Sequence, residues 1–240
     1  MSEISHELTQ AAKKLRTKVN ALSFGEPVTH IYNPLDYAWE PHRQYLDKFG
    51  NTKKQVLFLG MNPGPWGMSQ TGIPFGEIEH VRDWMGIETP VDKPNNEHPK
   101  RIIEGFACQK SEVSGRRLWG LFKEVYPDPT DFFTDHFVTN YCPLVFMEES
   151  SRNRTPDKLT ASERSALFAA CDAHLQTIVN LLQPKFAVGV GKFAEACFKR
   201  ITVPEKTTIT TVLHPSPASP AANRGWAEAA TKQLKAAGIW

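Results

Sequence analysis

Three polar side chains with complementary chemistry stand at or just after the ends of short apolar runs: Asn62, Asn140 and His214. A carboxamide carries donors and an acceptor in one plane, so an asparagine matches the amide-like edge of a flat heterocycle such as a pyrimidine. An asparagine can also hold a water molecule for attack, and an imidazole can donate a hydrogen bond to an oxygen that gains negative charge. Together the three side chains predict a pocket for a flat, hydrogen-bonding ring.

The segment that follows the first apolar run is stiff and rich in glycine. Residues 60–76 contain five glycines and three prolines. Prolines fix φ and glycines open backbone conformations that are closed to other residues, so a flat ligand can lie close to the main chain. Phe75 either stacks on such a ligand or belongs to the core. No carboxylate accompanies this segment, so we expect no double-carboxylate sugar chemistry here.

Strands and helices alternate around these side chains. Short apolar or β-branched runs predict strands at residues 55–61, 136–141, 186–191 and 207–213, and periodicity predicts helices at 3–22, 41–49, 115–126, 162–182, 192–201 and 220–237. Residues 28–41 are predicted to be irregular. The alternation predicts an α/β fold, a single domain with a central four-stranded parallel sheet flanked by helices. The carboxyl ends of parallel strands meet at one edge, so Asn62, Asn140 and His214 should face one crevice.

Length and composition fit one well-buried domain. The chain has 240 residues, of which 40% are hydrophobic and 22% are charged, and its formal net charge is +2. This balance neither requires nor excludes nucleic acid, because a local basic face suffices for binding. We interpret residues 1–27 as an N-terminal helix of unclear role and residues 28–240 as the functional domain.

Several other classes of protein are disfavoured. The four cysteines form no CxxC pair, so we expect no metal site, no iron–sulfur cluster and no cofactor. Gly189, Gly191 and Lys192 complete neither a dinucleotide-binding nor a P-loop pattern. No apolar run is long enough to span a membrane, and the first residues lack the pattern of a secretory signal. We therefore expect a cytoplasmic location in a bacterium, or a nuclear one in a eukaryote.

Long motifs of the chain resemble those of the single-strand-selective monofunctional uracil-DNA glycosylases. The first motif is GMNPGPWGMSQTGIPFG at residues 60–76, and the second is HPSP at 214–217 followed by ANRGW at 222–226. Further matches are IYNPLDYAWEPHR at 31–43, SEVSG at 111–115 and NYCPL at 140–144. The likeness runs from about residue 28 to about residue 235, so it implies one uracil-DNA glycosylase-like domain.

The resemblance implies a role for each polar side chain. Asn62 would position the attacking water, and His214 would stabilise negative charge on the uracil O2 as the glycosidic bond breaks. Asn140 would read the uracil edge, and Phe75 would stack on the ring. The implied enzyme is monofunctional, needs no metal and leaves an abasic site during base excision repair.

The resemblance also implies what shapes the pocket near C5 of the pyrimidine. Met61 and Gly64 would form that wall, and the glycine would leave room for 5-hydroxymethyluracil and 5-formyluracil.

DNA is the implied partner, bound by a chain that acts as a monomer away from membranes. The residues that would contact DNA are Gly191, Lys192, Ser216, Pro217, Ala218, Ser219 and Arg224. Phosphate contacts would come from the two basic side chains and from the backbone N–H groups of residues 191 and 216, with Arg116 and Arg117 as weaker candidates. Vertebrate members carry a bulky Arg-Asn pair where this chain has Ala218-Ser219, so its wedge into the duplex would be smaller and uncharged.

Three alternatives stay open at this point. One is a glycosylase for deaminated purines such as hypoxanthine or xanthine, which activity on those bases would identify. Another is a non-catalytic binder of flipped bases or abasic DNA, which release of free uracil with multiple turnovers would exclude. The third is a small-nucleotide enzyme, which activity on free deoxyuridine would identify.

Overall fold

Two β-sheets organise the computed structural model, which describes residues 2–240. The strands are β1 (His30–Tyr32), β2 (Val56–Gly60), β3 (His136–Asn140), β4 (Val145–Met147), β5 (Asn153–Arg154), β6 (Phe186–Val190) and β7 (Thr208–Val212). The central sheet has the order β3-β2-β6-β7 with all strands parallel, and the smaller sheet has the antiparallel order β1-β4-β5.

Helices cover the parallel sheet. They are α1 (Glu3–Asn20), α2 (Pro34–Tyr37), α3 (Trp39–Phe49), α4 (Met68–Thr71), α5 (Val113–Val125), α6 (Pro129–Asp135), α7 (Ala161–Leu182), α8 (Lys192–Phe198), α9 (Pro220–Asn223) and α10 (Trp226–Ala236). Short π or 3₁₀ turns lie at His80–Trp84, Gly105–Ala107 and Pro156–Lys158. Capping boxes at Ser2 and Thr160 begin α1 and α7, because each cap side chain accepts an otherwise unpaired N–H group of the first turn.

The core lies on both faces of the parallel sheet. Every residue of β2 and β3 is buried, which suits parallel strands that are covered by helices on two sides. On one flank α1 buries Leu8, Ala12, Leu15 and Val19 and packs against α7 and α3. The division of the chain at residue 27 stays a prediction about the role of this helix.

The register of the central sheet sets the position of the predicted site. Gly60 at the end of β2 pairs with Asn140 at the end of β3. Two residues after β7 stands His214. These three strand ends therefore reach the same edge of the sheet, which the strand pattern predicted.

The four predicted parallel strands and the α/β fold are confirmed, with strand ends displaced by one residue at most. Two other predictions were wrong. Residues 28–41 are not irregular, since they contain β1 and α2. The helix predicted at 220–237 is broken into α9 and α10 at Gly225, whose φ of 147° no helix accommodates. No helix in residues 2–240 has the length and apolarity needed to cross a lipid bilayer.

Candidate active site

A cleft of about 420 Å³ opens beyond the carboxyl ends of the parallel strands. The predicted residues that line it are Met61, Asn62, Gly64, Phe75, Asn140, His214, Ser216 and Pro217. The predicted residues outside its lining are Gly191, Lys192, Ala218, Ser219 and Arg224. The structure thus gathers the whole predicted pocket, while five of the seven predicted DNA contacts lie outside its lining.

Asn140 presents an unsatisfied acceptor in this cleft. Its amide nitrogen donates to the Met68 sulfur at 3.3 Å, while its Oδ1 is buried without a hydrogen-bond partner in residues 2–240. A buried acceptor that lacks a partner costs about 1–3 kcal/mol. Because the sulfur can only accept, it favours the orientation of the amide in which Oδ1 stays available. A ligand that donates a hydrogen bond here would recover the cost.

The ring of Phe75 lies close to that acceptor because residue 60 has no side chain. A Cβ atom on Gly60 would lie 2.5 Å from Phe75 Cε2 and would overlap Asn140 Oδ1. The backbone of Phe75 is strained, with φ 55° in the left-handed region. Its carbonyl accepts from the Glu77 N–H at 2.7 Å and lies against Gly115, where any side chain would collide with it. Packing therefore imposes the position of this ring.

Asn62 is anchored through its donor and leaves its acceptor free. The amide Nδ2 donates to the Leu144 carbonyl at 3.2 Å, which ties the first motif to the chain that follows β3. The Oδ1 atom has no protein hydrogen bond in residues 2–240, and the residue is half-buried in the cleft lining. A free carbonyl oxygen on a fixed amide can hold one water molecule by accepting a hydrogen bond from it.

His214 is held as a neutral imidazole with a defined tautomer. The backbone N–H of Ser216 donates to its Nδ1 at 3.1 Å, so the ring proton resides on Nε2. Burial lowers the pKa of His214 below its usual value, which favours the neutral form. Its ring centroid lies 6.2 Å from that of Phe75. The Nε2–H is the donor that this imidazole has left for a ligand.

Side chains from α5 and α10 hold the loop that carries the histidine. Arg117 donates to the carbonyls of Pro215 at 3.0 Å and Ser216 at 3.4 Å, and to Asn223 Oδ1 at 2.9 Å. The indole of Trp226 donates to the Leu213 carbonyl at 2.6 Å. Sequence reasoning treated Arg117 as a weak phosphate contact, whereas its guanidinium is already occupied by this loop.

The predicted phosphate contacts need correction at two backbone groups. The N–H of Gly191 donates to the Val212 carbonyl at 2.9 Å, and the N–H of Ser216 donates to His214. Neither group is free for phosphate, so the prediction of N–H contacts from these residues was wrong. In this conformation, the Ser219 side chain caps α9 by accepting from the Ala222 N–H at 3.3 Å.

The two basic residues differ in how free they are. Lys192 is exposed but pairs with Glu195 at 2.9 Å, while the exposed Arg224 forms no ion pair in residues 2–240. Ala218 and Pro217 are exposed at the tip of the loop. Their part in DNA binding stays a prediction.

A carboxylate that the sequence reasoning missed stands in the cleft. Glu112 lines it, and its Oε2 accepts from the backbone N–H of Trp66 at 3.2 Å. Burial raises the pKa of this carboxyl, while the Trp66 N–H and the positive charge of Arg101 oppose the rise. The expectation that no carboxylate accompanies the first motif was therefore wrong, because Glu112 is 36 to 52 positions away along the chain and only the fold brings it there. Its place within the matching SEVSG motif was the available signal.

The cysteines and the acidic residues do not form an obvious metal centre. Within residues 2–240, no group of three or more His, Cys, Asp or Glu side chains is placed to hold a metal ion. All four cysteines are buried as free thiols.

The chain matches a known family over most of its length. The family model described as "Uracil DNA glycosylase superfamily" matches residues 48–235. The chain belongs to this superfamily. Within the family, the single-strand selective monofunctional uracil DNA glycosylase of Mus musculus is 48% identical over 228 residues, which are 94% of this chain and 82% of that protein.

Two further relatives extend the comparison. The single-strand selective monofunctional uracil DNA glycosylase of Bos taurus is 47% identical over 232 residues, which are 96% of this chain and 85% of that protein. The crystal structure of wild-type Pedobacter heparinus SMUG2 aligns with a TM-score of 0.65 and covers 96% of this chain and 99% of that one. At 16% identity, this structural likeness shows that the two proteins share a fold.

Proposed function

We propose that this protein is a monofunctional uracil-DNA glycosylase that hydrolyses the bond between uracil and deoxyribose in DNA and leaves an abasic site. Membership of the family and the names of the relatives support the reaction. The observation that carries the assignment to uracil is the buried, unpartnered Oδ1 of Asn140 beside an amide nitrogen of fixed orientation.

The edge of uracil matches what Asn140 offers. Uracil presents the N3–H donor between two carbonyl acceptors, so N3–H can donate to Oδ1 while the amide nitrogen donates to O4. Cytosine presents an unprotonated N3 and an amino group, which places an acceptor against Oδ1 and a donor against Nδ2. Such a mismatch leaves buried polar groups unpaired, at about 1–3 kcal/mol for each. This pattern supports discrimination between the two bases.

Bond cleavage separates charge between the base and the sugar. The electron pair of the C1′–N1 bond goes to the base, and negative charge develops on N1 and O2. The Nε2–H of His214 donates to O2, while Asn62 Oδ1 holds the water whose oxygen bonds to C1′. The water proton then leaves to solvent or to the departing base. A fixed donor at the point where charge develops is worth about 3 kcal/mol in a dry site.

The neutral state of His214 suits this role. The lowered pKa keeps the imidazole uncharged near neutrality, so it stabilises the departing base as a hydrogen-bond donor and does not protonate it outright. The Ser216 N–H fixes the tautomer, and no rearrangement of the ring is needed when the bond breaks.

The target base must leave the stack to reach the cleft, which costs a few kcal/mol in duplex DNA and less in a mismatch or single strand. The loop at 214–219 ends in small residues at its exposed tip, which supports action on single strands and easily opened pairs. One chain contains every residue of the proposed site, so we propose that the enzyme acts as a monomer.

The test is release of free base from oligonucleotides that carry one uracil, hypoxanthine, xanthine or cytosine, each as a single strand and in duplex. We expect multiple-turnover release of uracil, an abasic site as the product, and no hydrolysis of free deoxyuridine. Binding without release would identify a non-catalytic binder, and preferential release of a purine would identify a purine glycosylase. Either result would overturn the proposal.

A further inference from the structure

The Glu112 side chain forms one side of the cleft, where it packs against two glycines of the first motif, Gly64 and Gly67. A Cβ atom on Gly64 would overlap the Glu112 carboxylate, and a Cβ atom on Gly67 would lie 3.0 Å from its Cγ. The side chain therefore lies flat against the backbone of residues 64–67. Its Oε2 is used by the Trp66 N–H, whereas Oε1 has no hydrogen-bond partner in residues 2–240. One carboxylate oxygen is thus left to the cleft.

Contacts and chain connectivity together give an order of the residues around the cleft. His214 stands near Phe75, and the Phe75 ring and Asn140 Oδ1 flank Gly60. Next come the Met68 sulfur, which accepts from Asn140, and then Gly67 and Gly64, against which the Glu112 side chain packs in the cleft lining. Asn62 completes the circuit, two positions before Gly64.

The perimeter of uracil has a matching order, which is O2, N3, O4, C5, C6 and the bond to the sugar. With O2 at His214, the N3 and O4 edge at Asn140 and the sugar at Asn62, the position that remains for C5 faces Gly64 and Glu112. This placement rests on the proposed function. It gives the carboxylate a definite neighbour in the substrate, the substituent on C5.

We propose that Glu112 determines which C5 substituents the enzyme accepts. A substituent that donates a hydrogen bond, such as hydroxymethyl, bonds to the free Oε1. A substituent that only accepts, such as formyl, finds no donor there. An anionic substituent, such as carboxyl, is repelled by the like charge. Uracil itself has only hydrogen at C5 and makes little use of the carboxylate.

The test compares single-turnover excision of 5-hydroxymethyluracil, 5-formyluracil and 5-carboxyuracil, each divided by the rate on uracil in the same oligonucleotide. Comparing ratios between variants cancels the intrinsic reactivity of each base and any general loss of folded enzyme. The variants are Glu112→Gln, which keeps an acceptor for the Trp66 N–H and replaces the free oxygen with a donor, and Glu112→Ala. Glu149→Gln, at an exposed position, makes the same change in net charge away from the cleft.

We expect Glu112→Gln to raise the relative rates on 5-formyluracil and 5-carboxyuracil by about tenfold each, as a hydrogen bond to a charged or newly matched partner is gained. Glu112→Ala should lower the relative rate on 5-hydroxymethyluracil by about tenfold. Glu149→Gln should leave all three ratios unchanged.

The outcomes separate this inference from the proposed function. Lack of uracil excision by the wild type would contradict the proposed function itself. Normal wild-type uracil excision with equal losses on all four bases in both Glu112 variants would show that Glu112 only supports the loop, and would overturn the inference. Loss of uracil excision by more than about 100-fold in Glu112→Gln, with binding intact, would make it a base for the water and would also overturn the inference.

Discussion

Two loops build the cleft by different physical means. The first, at residues 60–76, is shaped by missing side chains, since Gly60 and Gly64 lie where any Cβ atom would meet Phe75, Asn140 or Glu112. The second, at residues 213–219, is held by side chains from elsewhere, with Arg117 and Trp226 bonded to its carbonyls. A single added methyl group can displace the groups that pack against a glycine, whereas a loop held by several hydrogen bonds can lose one bond and keep much of its position. Substitutions in the first loop should therefore be far more damaging.

The largest effect is expected from Gly60→Ala. The new methyl group would force Asn140 Oδ1 and the Phe75 ring apart, so excision of uracil should fall by about 1000-fold while the protein stays folded. Gly120→Ala in α5 is the matched control, because its Cβ would meet only His80 Nε2 at 3.7 Å, an ordinary contact. A rate of uracil excision in Gly60→Ala within tenfold of the wild-type rate would contradict the claim that the absence of a side chain at residue 60 shapes the loop.

A smaller loss is expected from Arg117→Ala. Removing the guanidinium takes away the bonds to Pro215, Ser216 and Asn223, but Trp226 and the Ser216 N–H still hold the loop and the imidazole. The single-turnover rate at saturating enzyme should fall by about tenfold.

DNA affinity should change little in Arg117→Ala, and Arg116→Ala provides a control with the same loss of charge. If affinity falls and the rate is unchanged, Arg117 is a phosphate contact, as sequence reasoning suggested, and its proposed role in holding the second loop is wrong.

Acid should lower the free energy of unfolding through His42, a buried histidine that is bonded to the first loop. His42 Nδ1 bonds to the Gly72 carbonyl at 2.8 Å, and burial lowers its pKa to about 4. Between the ordinary value near 6.5 and about 4, the unfolded chain binds a proton that the folded chain does not, so stability falls as the pH falls.

The free energy of unfolding should therefore lose about 1.4 kcal/mol per pH unit across that range through His42 alone. Denaturant unfolding at several pH values should show a shallower slope in His42→Gln than in the wild type. Equal slopes would show that this histidine does not couple the first loop to pH.

The smallest effect is expected at the basic surface beside the second loop. Arg224 is exposed without an ion pair in residues 2–240, whereas Lys192 already pairs with Glu195. Arg224→Ala should weaken binding of undamaged DNA by a few-fold and should reduce the slope of log K against log salt concentration by about one. Lys192→Ala should change both quantities less. Salt titrations of binding measure both, and a larger loss in Lys192→Ala would reverse this ranking.

Much of this fold was readable from local patterns. Each parallel strand is a short apolar or β-branched run, and the alternation of these runs with helical patterns allows few other arrangements. The strands β1, β4 and β5 were not predicted, because two or three residues give no periodicity and the pairing of β1 with β4 joins residues more than 100 positions apart. The helix break at Gly225 was not predicted either, since a single glycine is tolerated within a helical pattern.

The residues of the site also fall into those that the sequence predicted and those that it did not. Asn62, Asn140 and His214 were found because strand ends converge at one edge. Glu112 and Arg117 act through contacts across 46 or more positions, and no periodicity distinguishes them from surface residues. Only the SEVSG motif at residues 111–115 could have pointed to Glu112. The occupied N–H groups of Gly191 and Ser216 were equally hidden, because backbone hydrogen bonding depends on the finished fold.

The central claim is that Asn62 and His214 act together from the two loops on one glycosidic bond. Single-turnover excision of uracil from one oligonucleotide, with binding measured on the same strand, tests it in Asn62→Ala and His214→Leu. Each variant should excise at least about 100-fold more slowly than the wild type and should still bind the oligonucleotide. Near-normal excision by both variants would contradict the account.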